Sequence, residues 1–128
     1  MTERFIIKKT EETPAIILNP SKGVFQIVGR SWSENALTFY EPIFAWFKEY
    51  FENSPLEVTN IQFRFEYFNT STSKQIAILI SELKKKSNDH KINIKWFYEE
   101  DDDDMKKEGQ RYSSLLKMNF EFIETKQR

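Results

Sequence analysis

The chain has 128 residues, which suits one domain with a hydrophobic core, and we expect residues 1–128 to form a single domain. Its 19 Lys and Arg nearly balance its 20 Asp and Glu, and the net charge of -1 disfavours binding to nucleic acid. The chain contains no cysteine, which excludes disulfides. It has no signal-peptide pattern, and its apolar runs are far shorter than the roughly 18 residues of a membrane span. We therefore expect a cytoplasmic protein without membrane insertion.

The first predicted element is a β-hairpin. Two short β-rich runs, 15–18 and 24–29, flank the turn-forming segment 19–23, which contains Pro, Ser and Gly. We expect these two strands to pair in the antiparallel direction.

A helix is predicted next. From Ala36 to Phe51, apolar residues recur at intervals of three and four, and the helix should end near Asn53. Ser33 is well placed to cap its start, since serine is a common N-cap residue. Pro42 should bend the helix or shift its start, because proline removes a helical hydrogen bond.

The middle of the chain predicts a long strand, a polar turn and a second helix. Residues 56–68 are rich in β-branched and aromatic residues. Alternation predicts that Phe63, Phe65 and Tyr67 share one face of this strand. After the turn, apolar residues at helical spacing over 76–83 predict a helix that ends soon after its last lysines.

The last part of the chain alternates again between the two kinds of element. Residues 92–98 have the pattern of a strand, 105–117 are weakly helical, and 118–123 predict a last strand. Helices that alternate with strands require crossover connections. The sequence therefore predicts an α/β fold with a mixed β-sheet and helices packed against it.

The candidate functional site is the turn before the second helix, where four hydroxyl side chains precede a lysine. The first N–H groups of a helix are unpaired and tolerate a dianion, so this turn suits a phosphate acceptor. Capping of the helix by the same side chains is the plainer explanation, and composition alone favours it. The candidate residues are Asn69, Thr70, Ser71, Thr72, Ser73 and Lys74.

Catalysis is disfavoured because the chain lacks the partners that a nucleophile needs. A serine or threonine nucleophile requires a base, and the single histidine, His90, falls in a polar loop. The 3 glycines form no phosphate-binding loop. We therefore expect no catalytic residues. A small α/β enzyme or ligand-binding domain that holds a phosphate group at the 69–74 turn is the alternative function.

A run of six acidic residues, 99–104, follows the strand at 92–98. Calcium loops space their oxygen ligands and include a glycine, whereas consecutive carboxylates repel one another and stay solvated. We expect neither a metal site nor a cofactor, and the role of this run stays open.

Several segments, in chain order, resemble the SiaC family of bacterial regulatory phosphoproteins. They are 13–16, then 29–31 with Glu34 and Asn35, then 67–71 with Lys74, and 96–99 before the acidic run. The resemblance implies a single STAS-type domain, similar to the anti-sigma factor antagonists. It also implies a non-enzymatic protein that works by partner switching.

By the same resemblance, Thr70 matches the phosphorylated threonine of the family. The resemblance implies a dedicated Ser/Thr kinase, a PP2C-like phosphatase, and an output protein such as a diguanylate cyclase that the unmodified form binds and activates. Cyclic-di-GMP output and biofilm formation would then follow the phosphorylation state. A neighbouring hydroxyl could be modified instead, and an unmodified structural adaptor is a further alternative. The residues implied to shape the docking face are Asn69, Ser71, Thr72, Ser73 and Lys74.

Overall fold

The computed structural model describes residues 2–126, in which strands that are consecutive in the chain lie side by side in one sheet. Its strands are β1 (Phe5–Ile7), β2 (Ala15–Asn19), β3 (Val24–Ser31), β4 (Val58–Phe68), β5 (Lys91–Glu99) and β6 (Phe120–Thr125). Its helices are α1 (Ala36–Glu52), α2 (Thr70–Lys86) and α3 (Asp103–Leu116), with a short 3-10 turn at Pro20–Lys22. No helix within residues 2–126 combines the length and apolar character needed to cross a bilayer.

The sheet is mixed, as predicted. β1, β2 and β3 pair in antiparallel fashion, whereas β3, β4, β5 and β6 are parallel neighbours. Each helix connects two neighbouring parallel strands. Because such crossovers are right-handed and all advance in the same direction, the three helices lie on one face. Contacts of α2 with both α1 and α3 agree with this arrangement.

The core lies between the sheet and the helices and is rich in aromatic rings. Trp96 of β5 is fully buried at its centre, and its Nε1 donates a hydrogen bond to the carbonyl oxygen of Met105 at 3.0 Å. α3 can come this close because it has Gly109 at the contact. A Cβ atom on Gly109 would lie 2.5 Å from the indole of Trp96.

In the N-terminal part of the chain, the structure confirms the predicted hairpin and corrects the predicted start of α1. β1 was not predicted from the sequence. The helix begins after Asn35, and the Ser33 hydroxyl instead accepts a hydrogen bond from the backbone N–H of Asn35 at 3.2 Å. Ser33 is therefore not the N-cap. Pro42 does not set the start either, since it lies inside the helix.

The prediction that Tyr67 shares a face with Phe63 and Phe65 is wrong. β3 and β4 pair Gly29 with Phe65 but Arg30 with Tyr67, which leaves one extra residue in β4. Such a bulge reverses the alternation of the residues that follow it. Phe63 and Phe65 are buried, whereas Tyr67 is 55% exposed.

Candidate functional site

The predicted hydroxyl turn lies where β4 ends and α2 begins, and Asn69 alone makes the connection. Its backbone N–H donates to the Ser31 carbonyl oxygen at 3.1 Å, and its side-chain Nδ2 donates to the Trp32 carbonyl oxygen at 3.1 Å. Its Oδ1 accepts from the backbone N–H of Thr72 at 2.9 Å, which makes Asn69 the N-cap of α2. The start of α2 is thus fixed to the end of β3.

Thr72 is completely buried and belongs to a chain of hydroxyl groups. Its Oγ1 donates to the Ser31 carbonyl oxygen at 2.9 Å and lies 2.8 Å from Ser31 Oγ, which in turn lies 2.9 Å from the Tyr40 hydroxyl. Burial raises the pKa of Tyr40 far above its usual range, although its hydrogen bond to Ser31 acts in the opposite direction. Thr72 cannot contact a partner in this conformation and influences the surface by holding the turn in place.

Ser73 is also engaged, because it faces α3. Its Oγ lies 2.7 Å from the hydroxyl of Tyr112, and that hydroxyl donates to the Ser73 carbonyl oxygen at 3.0 Å. Burial raises the pKa of Tyr112, while the hydrogen bond with Ser73 lowers it. The hydroxyl of Ser73 is therefore committed to a structural contact.

Thr70 and Ser71 have the two remaining hydroxyl groups. Thr70 is the first residue of α2 and is exposed, whereas Ser71 is half-buried. Within residues 2–126, neither hydroxyl takes part in a hydrogen bond. Lys74 is exposed and lies one turn after Thr70, on the same side of the helix. Of the four hydroxyl groups, that of Thr70 is thus the one best placed to receive a phosphate.

An aromatic surface lies at the same edge of the sheet, formed by Arg30, Trp32, Glu66 and Tyr67. These four residues line an open pocket of about 380 Å³. Arg30 Nε lies 3.0 Å from Glu66 Oε2, and both side chains are more than half exposed. The Trp32 indole is 39% exposed and donates from Nε1 to the Glu11 carbonyl oxygen at 2.9 Å.

Ser31, Tyr40 and Tyr112 support the turn but were not among the residues predicted to matter. No local sequence pattern could have identified them. Ser31 and Thr72 are 41 residues apart, and Ser73 and Tyr112 are 39 residues apart. Such pairs are brought together by the order of the strands and not by their spacing in the chain.

The acidic run extends from the end of β5 to the first turn of α3. Asp102 is its N-cap and accepts from the backbone N–H of Met105 at 3.0 Å, and Asp103 and Asp104 lie in the first turn. Among the residues that the structure describes, no three His, Asp or Glu side chains come together as metal ligands would. Of the six acidic residues, Asp102 therefore has a capping role.

The sequence model of the family described as SiaC family regulatory phosphoprotein matches residues 7–125. The fold is similar to that of SiaC of Pseudomonas aeruginosa, with a TM-score of 0.82 and 18% identity over 98% of this chain and 99% of that one. The crystal structure of apo-SiaC from the same organism matches with a TM-score of 0.80 and 20% identity, covering 96% of this chain and 98% of that one.

A third similar structure is the crystal structure of diguanylate cyclase SiaD in complex with its activator SiaC, also from Pseudomonas aeruginosa. It matches with a TM-score of 0.83 and 18% identity, over 96% of this chain and 99% of that one. Comparison with curated protein sequences finds no match. The structural similarities, at these low identities, establish the fold, and the match over residues 7–125 establishes the family. The chain belongs to the SiaC family of regulatory phosphoproteins.

Proposed function

We propose that this chain is a non-enzymatic, cytoplasmic partner-switching protein that is reversibly phosphorylated on Thr70. The observation that carries the proposal is the different use of the four hydroxyl groups in the turn. Thr72 and Ser73 are committed to internal hydrogen bonds, whereas Thr70 is exposed at the first position of α2. Membership of a family of regulatory phosphoproteins supports the same conclusion.

The chemistry requires little from the chain itself. A dedicated Ser/Thr kinase binds ATP, and the Thr70 oxygen attacks the γ-phosphorus as the bond to ADP breaks. The hydroxyl proton passes to a base of the kinase, so the products are phosphothreonine and ADP. A PP2C-like phosphatase then hydrolyses the phosphate ester. The modification adds roughly 1.5 to 2 negative charges beside the unpaired N–H groups of α2.

The unmodified form, in this proposal, binds and activates an output protein such as a diguanylate cyclase. The solved complex in which SiaC is the activator of SiaD supports this choice, because the structural match to that complex covers 96% of this chain. Phosphate on Thr70 would add charge and bulk at the docking face, where Asn69, Ser71 and Lys74 are its immediate neighbours. Cyclic-di-GMP levels and biofilm formation would follow the phosphorylation state.

The test has two parts, modification and binding. The purified chain is incubated with ATP and an extract of the cells that encode it, and mass spectrometry should then find phosphate on Thr70 and none on a Thr70→Ala variant. Ser71→Ala is the matched control and should still be phosphorylated. Binding to the cyclase encoded in the same cells should be lost by Thr70→Asp and retained by Ser114→Ala, whose exposed side chain lies near the far end of α3.

Phosphate found on other residues alone would contradict the assignment of Thr70. Unchanged cyclase binding by Thr70→Asp and by the phosphorylated chain would contradict the switch. A nucleotide or phosphorylated metabolite that raises the melting temperature would instead favour the ligand-binding alternative, since a ligand stabilises the native state that binds it.

A further inference from the structure

We infer that the outer edge of β6 pairs in antiparallel fashion with the same edge of a second copy of this chain, about a two-fold axis at Phe122. Two six-stranded sheets would thereby join into one. The inference is independent of the proposed phosphorylation. Three observations lead to it, namely the free edge of β6, the direction of its backbone groups and the order of its side chains.

β6 is an edge strand, and no strand among residues 2–126 pairs with its outer side. The opposite edge of the sheet is β1, which has only 3 residues, whereas β6 has 6. Natural edge strands are protected from pairing by shortness, by proline or lysine, or by a bulge. Residues 120–125 contain neither proline nor lysine, and their register with β5 is continuous. The charges of Glu121 and Glu124 are thus the protection that this strand has.

α3 leaves the edge of β6 open. The helix contacts β4, β5 and β6, which places it over β5, the middle strand of the three. Phe120 and Phe122 lie on the helix side of the sheet, opposite Ile94 and Trp96, and yet they are only half-buried. With strands about 4.8 Å apart, the α3 helices of two copies joined at β6 would lie about 14 Å apart, beyond the 8–10 Å of packed helices. The two copies can therefore join without a collision between helices.

The backbone of β6 shows which of its residues face the free edge. The Thr125 carbonyl oxygen accepts a hydrogen bond from the Glu100 N–H at 2.9 Å, so it points toward β5. The N–H and C=O groups of one strand residue point to the same side, and that side alternates from residue to residue. Phe120, Phe122 and Glu124 therefore present both of their backbone groups to the free edge, where a further strand can bind them.

These outward-facing residues determine the register of the pair. In an antiparallel pair, two residues that face each other across the edge exchange two hydrogen bonds. With the axis at Phe122, that residue faces its own counterpart, and Phe120 faces Glu124 of the second copy on each side. Every outward group of β6 is then bonded. An axis at Glu121 or Ile123 would leave some of these groups without a partner inside the strand.

The side chains favour the same register. With the axis at Phe122, Glu121 lies opposite Ile123 of the second copy, and no glutamate faces another. With the axis at Glu121, two carboxylates would face each other on strands only about 4.5 Å apart, which is unfavourable. The axis at Phe122 also brings two half-exposed rings together, and such cross-strand aromatic pairs stabilise sheets. Because one strand supplies both halves of this match, the occupant of the edge is a second copy of the chain.

Disulfide cross-linking of the full chain tests this register, because the chain has no cysteine of its own. Phe122→Cys places two thiols at the axis, with Cα atoms about 5.5 Å apart, within the range that a disulfide spans. Glu124→Cys is the matched control, since its Cα atom would lie about 14 Å from that of its counterpart. Each variant is oxidised with copper phenanthroline, and the linked dimer is followed on non-reducing gels. Thermal unfolding checks that each variant folds.

We expect Phe122→Cys to form the linked dimer about tenfold faster than Glu124→Cys, because only the first pair of thiols lies within disulfide range. Equal rates would overturn the inference. Fast linking of Glu121→Cys or of Ile123→Cys to itself would overturn the register at Phe122. If Phe122→Cys fails to fold, a mixture of Glu121→Cys and Ile123→Cys decides, since these positions face each other and should link to each other faster than either links to itself.

Sedimentation equilibrium of the unaltered chain tests whether the pair forms without a disulfide. Two short edges bury less than the roughly 1,600 Å² of a standard interface, so the average mass should approach that of a dimer only toward concentrations of about 1 mM. Phe122→Lys sets two like charges opposite each other and should stay monomeric. Leu115→Lys, at an exposed position of α3, should behave as the unaltered chain does. A monomer at every concentration would overturn the inference, and so would a dimer that Phe122→Lys leaves intact.

Discussion

Tyr112 of α3 binds Ser73 of α2 through both oxygen atoms of that residue. The phenol donates to the Ser73 carbonyl oxygen at 3.0 Å and lies 2.7 Å from its Oγ. One tyrosine therefore links the first turn of α2 to the neighbouring helix. On the opposite side of the same turn, Thr72 joins Ser31 and Tyr40. The segment that contains Thr70 is thus supported from both sides.

Replacing Tyr112 by Phe should lower the free energy of unfolding by about 0.5 to 1.5 kcal/mol, the usual contribution of such hydrogen bonds. The loss should be no larger, because Ser73 is half-buried and its hydroxyl can turn to water. Urea denaturation followed by tryptophan fluorescence measures the change. Tyr98→Phe is the control, since the Tyr98 hydroxyl has no partner among residues 2–126. An equal loss in both variants would contradict the structural role of Tyr112.

Thr72→Val should cost about 1 to 3 kcal/mol, because it keeps the volume but removes two buried hydrogen bonds, while Ser31 keeps its bonds to Asn69 and Tyr40. The Thr72 hydroxyl is fully buried and reaches both the carbonyl oxygen and the hydroxyl of Ser31. Ser71→Ala, in the same turn, removes a hydroxyl without such partners and should cost much less. Chemical denaturation of the two variants gives the comparison, and similar losses would argue against the buried hydroxyl chain.

Asn69→Ala should destabilise the protein by about 1 to 2 kcal/mol, as expected for an N-cap residue. The variant loses the acceptor for the Thr72 N–H and the donor to the Trp32 carbonyl oxygen. Asn69→Asp keeps the acceptor and should recover part of the loss. Thermal and urea unfolding of both variants provide the measurement. If Asp recovered nothing, the capping role of Asn69 would be refuted.

Stability should fall at alkaline pH because of Tyr40. Burial raises its pKa in the folded protein above the ordinary value of 10.0, and hydrogen bonding to Ser31 only partly opposes this. As pH rises past about 10, the unfolded chain releases this proton while the folded chain retains it, so unfolding becomes more favourable. Below that pH the contribution is constant.

The check is a series of urea midpoints between pH 7 and 11 for the unaltered chain and for Tyr40→Phe. The Phe variant should be less stable at pH 7, because it loses its bond to Ser31, but it should lose less further stability above pH 10. If the urea midpoint fell equally steeply with pH above pH 10 in both proteins, Tyr40 would be excluded as the source of the alkaline loss of stability.

Gly109→Ala should lower the free energy of unfolding by about 1 to 3 kcal/mol, the range for an overpacked core. The added Cβ atom would lie 2.5 Å from Cδ1 and Nε1 of Trp96, and Nε1 is bonded to Met105. Ser114→Ala, on the exposed side of the same helix, is the control and should cost nothing. Denaturation and the tryptophan emission maximum report the effect, and an unaltered midpoint for Gly109→Ala would contradict this packing.

Much of the fold could be predicted because its signals are local. The helical spacing around Tyr40 and Ile76 predicted α1 and α2, the weaker pattern over 105–117 predicted α3, and the turn at 19–23 predicted the hairpin. Tyr67 was misplaced because the bulge in β4 depends on how that strand pairs with β3. The pattern within one strand does not contain this information.

The candidate site could likewise be predicted only in part. The position of Thr70 at the start of a helix follows from a local cluster of hydroxyl residues, and the structure confirms that α2 begins there. The sequence could not show which of the four hydroxyl groups are exposed, since Thr72 and Ser73 have similar side chains to those of Thr70 and Ser71. The order of strands and helices decides which of these side chains are buried, by bringing Ser31 and Tyr112 to opposite sides of the turn.

The one-sided arrangement of the helices also separates charge along the molecule. All three helices begin at the edge of the sheet that contains Thr70, so their positive partial charges collect there. The acidic residues at the start of α3 lie at that edge, and Lys84, Lys85 and Lys86 lie at the end of α2, where the partial charge is negative. At both ends, charged side chains therefore oppose the partial charges of the helices and stabilise them.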